Sequence, residues 1–177
     1  MNFSPGAVDY ATQFKYKTPT PIRGVPTHRA LKRLKAELTA NASSIECDLG
    51  GGDHGYLGLV LTDVEYAAIP GTVPFIPPIF PAVLNIPATA NAVQALQAQE
   101  DHIEEKRAYL ECKNVEKALL RYIQDALDER YIEPLVDEYT NLLTQDIPDV
   151  LDYLFTTYGE VQSSKVTNKD KEIMEAP

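Results

Sequence analysis

The sequence predicts a mainly α protein: a compact helical bundle that carries an extended N-terminal arm and a proline-rich apolar loop. Three observations lead there. From Thr89 glycine is absent until Gly159, and only Pro134 and Pro148 interrupt a stretch whose apolar residues recur at helical spacing. Prolines 5, 19, 21 and 26 deny the first 26 residues a helix, and prolines 74, 77, 78, 81 and 87 do the same to "VPFIPPIFPAVLNIP". With 177 residues, 44% of them hydrophobic, the chain can bury a sizeable core.

Residues 1–26 read as the arm. Phe3, Tyr10, Phe14 and Tyr16 are interleaved there with polar groups, a pattern suited to docking on a partner surface. Residues 27–159 read as the helical domain. Its first helix lies in "PTHRALKRLKAELTANASSI", capped by Thr27, with Ala30, Leu31, Leu34 and Leu38 on one side and Lys32, Arg33 and Lys35 on the other. Thr62 and Glu65 have capping-box spacing for a short helix that Pro70 and Gly71 end. The proline-rich loop follows, and its Phe75, Ile76, Ile79, Phe80 and Val83 are too apolar for a solvated linker.

Next, Val93, Leu96, Ile103 and Leu110 fit one helical face, which Val115, Leu119, Tyr122, Ile123 and Leu127 continue as a second segment or a bent extension. A further helix is expected around Leu135, Val136, Tyr139, Leu142 and Leu143, with Pro134 in its first turn. The last is expected in "IPDVLDYLFTTYG", capped by the Asp146 side chain and stopped by Gly159. Residues 160–177 read as a polar linker or tail.

The stretch "CDLGGGDHGYLGLVLT" raises the question of chemistry. A phosphate-binding loop needs a Lys followed by Ser or Thr after its glycines, and Asp53 and His54 stand there instead. A dinucleotide fingerprint needs a preceding strand, whereas "ANASSIECD" is a helix end with turn residues. Asp53 and His54 could supply two metal ligands, but His28 and His102 lack ligand spacing to them. Gly50, Gly51, Gly52 and Gly55 therefore read as a structural turn. The carboxylates of "QEDHIEEKRAYLE" are interspersed with Lys106 and Arg107, Glu104 and Glu111 standing three and four residues from Arg107, as on a solvated helix face. Cys47 and Cys112 read as free thiols. Catalytic residues, cofactors and metals are accordingly expected to be none.

The net charge of −10 divides unevenly: residues 1–45 carry +5 and the rest −15. The basic face of the first helix (Arg29, Lys32, Arg33 and Lys35) is thus open to three readings: solvated surface, contact with the acidic body of another copy, or contact with RNA. There is neither an apolar run of about 18 residues nor an apolar core behind a basic start, so the expected location is intracellular, with no membrane partner.

"DVLDYLFTTYGEV", preceded by "VEKALLRYIQDALDERYIEPL", resembles the Gag capsid region of copia-type retrotransposons. The N-terminal half is similar to Gag-like proteins of algae and other microbial eukaryotes, in which the Leu-Gly-Gly-Gly-x-His-Gly stretch recurs. The likeness covers about residues 18–161. It implies a structural role: many copies assemble into a shell around retroelement or viral RNA, as a cytoplasmic virus-like particle. Such proteins usually continue into a second helical domain, to which 160–177 would be the linker. The resemblance brings no catalytic residue with it. Phe14, Tyr16, Phe75, Ile76, Ile79 and Phe80 are the expected contacts between subunits. An adaptor that binds a protein partner without forming shells, and a small enzyme built on Asp53 and His54, are the alternatives.

Overall fold

The structure is a computed structural model and describes residues 8–159. The outermost arm and the expected tail at 160–177 lie outside them. The described chain is mainly helical. Helix α1 spans His28–Ser43, α2 Asp63–Ala67, α3 Ala92–Ala126 and α4 Ile147–Leu154, the last widening into a π-helical turn over Phe155–Gly159. Single 3-10 turns cover Tyr10–Gln13, Leu49–Gly51, Leu57–Leu59, Glu129–Tyr131 and Glu133–Leu135.

Local sequence explains the helix starts. Thr27 Oγ1 accepts the Ala30 N–H at 3.1 Å. Thr62 and Glu65 form the reciprocal capping box that their spacing predicts. Asn91 and Gln94 form another at the head of α3. Asp146 stands at the start of α4 without the expected side-chain cap, and Pro148 removes one of the two N–H groups such a cap could take.

The core forms where α1, the C-terminal third of α3 and α4 meet. Leu31, Leu34 and Leu38 of α1 pack with Val115, Leu119 and Ile123 of α3 and Ile147, Val150 and Leu154 of α4, all fully buried. The two apolar segments expected around residue 110 are one continuous 35-residue helix, about 52 Å long. Its first half stands clear of the core: no residue of α3 before Cys112 is buried.

The helix expected around 134–143 does not form. After the turn at Glu133–Leu135 the chain folds back on itself, with Val136 bridged antiparallel to Leu143. The Asp137 carboxylate takes the N–H groups of Tyr139 and Thr140, which a helix would have needed, and Asn141 adopts a left-handed φ of 57°. Leu143 still enters the core, while Tyr139 and Leu142 face solvent.

The described part of the arm lies on the helices. Asn41 of α1 acts as a strand neighbour would: its Oδ1 accepts the Tyr16 N–H at 2.8 Å and its Nδ2 donates to the Tyr16 carbonyl at 3.0 Å. One turn earlier, the buried Glu37 accepts from the Thr20 N–H, the Thr20 hydroxyl and, at 3.0 Å, the Tyr122 hydroxyl of α3. Phe14 packs edge-on to the Tyr122 ring, and the Ile22 N–H caps the end of α3 at the Ala126 carbonyl, 2.8 Å away.

Glu37→Ala would leave Thr20 without its acceptor and Tyr122 with only the longer bond to the Thr18 carbonyl, at 3.4 Å, and is expected to cost about 1–3 kcal/mol in urea unfolding. Burial, then the hydrogen bond to Glu37, raises the Tyr122 hydroxyl above its ordinary value of 10.0. The native side chain therefore keeps its proton where the unfolded one loses it. Its contribution is fully present below pH 10 and declines above, so the urea midpoint should fall as pH is raised past about 10.

Candidate functional site

The glycine stretch joins α1 to the short helix α2 and prepares the surface that follows. Gly50, Gly51, Gly52 and Gly55 all have positive φ. Gly55 is the most constrained: with φ at 55°, any Cβ there would strike the carbonyl oxygens of Ala42, Ser43 and Ile45. Asp53 is exposed and His54 half-buried within this turn. Among the described residues no three His, Cys, Asp or Glu side chains gather as a metal site requires.

Gly58, one turn on, matters for a different reason. Its missing side chain is the space into which the Phe75 ring fits, since a Cβ there would overlap that ring. Phe75 completes an edge-on cluster with Tyr56 and Tyr66, at centroid distances of 6.4 and 5.9 Å. This cluster anchors the proline-rich loop. Five residues later Phe80 sits edge-on to Tyr109 of α3 at 5.3 Å, with the Lys106 ammonium 5.8 Å from its centroid. Pro78 between them borders a cleft whose other walls include Cys47, Tyr56, Arg107 and Glu111. The loop is thus a strap pinned by Phe75 to the Tyr56 and Tyr66 rings and by Phe80 to α3, and a turn closed by the Ala90 N–H on the Pro87 carbonyl leads it into that helix.

Strap and free half-helix together expose a large apolar surface. Ile79 is 84% exposed and Val83 93%, with Ile76 and Phe80 also open to solvent. On the helix Val93, Leu96, Ile103 and Leu110 are exposed, Ile103 at 65%. These eight large apolar side chains lie on two segments that meet at Phe80 and Tyr109.

The expected subunit contacts therefore divide. Ile76, Ile79 and Phe80 lie on this surface, and the Tyr16 ring is exposed beside Lys15. Phe14 and Phe75 are core residues, at 3% and 9% exposure, and are removed from the set of surface contacts. In a proline-rich segment no periodicity separates the ring that turns inward from the one that turns out.

The basic face of α1 also divides. Arg29, Lys32 and Arg33 are exposed, whereas Lys35 is paired with Glu65 at 2.7 Å. That pairing holds the Glu65 carboxyl below its usual range. A second cleft, of about 280 Å³, is lined by Thr62, Asp63, Phe75, Glu116 and Asp146 among others. One of its carboxylates, Glu116, is paired with Lys113 at 3.2 Å. Burial raises both thiols, Cys112 to about 12.

The chain matches no family model, no curated protein and no solved structure.

Gly58→Ala should expel Phe75 from its seat and destabilise the fold by about 1–3 kcal/mol, measured by urea unfolding. Iodoacetamide at pH 8 should modify native Cys112 at least about tenfold more slowly than the thiol of the urea-unfolded chain, because burial disfavours the thiolate, as read by mass spectrometry.

Proposed function

We propose that this chain is a structural protein whose copies assemble into a closed shell, the role implied by its resemblance to retrotransposon Gag capsids. The observation that carries this reading is that the strap and the first half of α3 leave eight large apolar side chains open to solvent. A chain left with that surface uncovered would associate, and repeated identical contacts are the simplest way to cover it. Charge supports the same reading. The basic N-terminal quarter, +5 over 1–45, can meet the −15 body of a neighbouring copy head to tail. Arg29, Lys32 and Arg33, on one side of α1, are the groups that would face RNA if the shell encloses it.

Negative-stain electron microscopy at low and moderate salt, with the ultraviolet absorbance ratio of the same sample, tests the proposal. Uniform closed particles are the expected result; monodisperse monomers in every condition overturn it. A soluble one-to-one complex with another protein would favour the adaptor reading. Replacing Ile79 and Phe80 together by Ser should abolish particles and leave the helical circular dichroism unchanged. Reversing Arg29, Lys32 and Arg33 to Glu should lower the nucleic-acid absorbance of any particles that package RNA.

A further inference from the structure

The exposed half of α3 has an internal symmetry. Leu96 and Leu110 each stand seven residues from Ile103, which is close to two full turns, so the three side chains form one line along the helix. Val93, three residues before Leu96, lies off this line, on the side of Glu100. None of these four residues is covered by the described chain.

The edges of the line carry charge in an equally regular way. Glu100 and Arg107 lie within about 60° of it on one edge, Gln99 and Lys106 within the same angle on the other. Measured from Ile103, Glu100 is three residues back and Arg107 four forward, while Gln99 is four back and Lys106 three forward. The segment is nearly its own complement when turned end for end.

We infer that residues 92–111 of α3 pair antiparallel with the same residues of a second copy, about a two-fold axis at Ile103. Such an axis brings each edge against its own counterpart, reversed. Glu100 then faces Arg107 of the other copy, twice, and Lys106 faces the neutral Gln99. Leu96 meets Leu110, and Ile103 meets Ile103. A parallel pair brings opposite edges together instead, setting Arg107 beside Lys106, a repulsion that the antiparallel pair avoids. Arg107 already binds Glu104 at 2.6 Å and Glu111 at 3.0 Å along its own helix, which holds the guanidinium at this edge. Its five donors leave capacity for a third carboxylate. A protein partner of other sequence would not account for the match of each half of the segment to the other.

The inference rests on the self-assembly reading and names the contact through which two copies meet. A short bis-maleimide applied to single-cysteine additions in the full chain tests it, with the unsubstituted chain, whose Cys47 is half-buried, as background. Ile103→Cys is expected to give a covalent dimer. Leu96→Cys alone is not, because the two copies of residue 96 would lie about 21 Å apart. Mixed with Leu110→Cys it should cross-link. In the Ile103→Cys background, Glu100→Arg should lower the dimer yield several-fold, and adding Arg107→Glu should restore it. No dimer from Ile103→Cys, or a dimer from Leu96→Cys alone, overturns the inference. Particles that form without the Ile103 cross-link would leave the shell standing and remove this contact; cross-linked dimers that never build particles would do the reverse.

Discussion

A buried carboxyl side chain with no basic partner among the described residues organises this fold. Glu37 faces the interior of the α1 and α3 packing, where an unsatisfied charge would cost several kcal/mol. Its oxygens are satisfied by donors from two other parts of the chain: Thr20 of the arm and Tyr122 of α3. The arrangement is complete only when arm and both helices are in place, so one residue couples three elements far apart in sequence. Asn41, one turn along, extends the coupling by bonding both the N–H and the carbonyl of Tyr16. With the arm so held, Phe14 reaches Tyr122 and Ile22 closes the end of α3.

The two proline-rich segments illustrate how much depends on such partners. Both lack the means to make regular structure, since proline removes donors and fixes backbone angles. Polar side chains of α1 replace the missing backbone partners for the arm, and it lies down on the body. The strap has no comparable series of polar contacts from α3. It is held by rings, Phe75 among Tyr56 and Tyr66 and Phe80 against Tyr109, and the aliphatic residues between and beyond them remain outside. Similar composition thus yields one segment that completes the core and one that offers a surface.

Much of the helical framework was legible because its signals are local. The caps at Thr27 and at Thr62 with Glu65, and the apolar spacing of Leu31, Leu34 and Leu38, are set within a few residues. Periodicity also identified the face that carries Val93, Leu96, Ile103 and Leu110, but a period states only that residues share a side, never what that side meets. The region after Pro134 was misread because the apolar spacing outweighed Asp137 and Asn141, whose side chains and backbone favour a turn. Glu37 and Tyr122 are separated by 85 positions, so nothing local marks them as partners. Gly58 carried no signal at all, for its role is defined by a ring seventeen residues later.

The length of α3 has a mechanical consequence. Its C-terminal third is clamped between α1 and α4, while about 30 Å of it extends beyond the first buried residue, so the helix is a cantilever with a packed root and a loaded tip. A tilt of about 3° at the root displaces the tip by about 1.5 Å, roughly one residue of helical rise. Stiffness in the seat around Val115, Leu119 and Ile123, residues remote from the exposed surface, therefore sets how accurately the tip is presented. A change of core packing that barely alters stability would register at the far end as a change of aim.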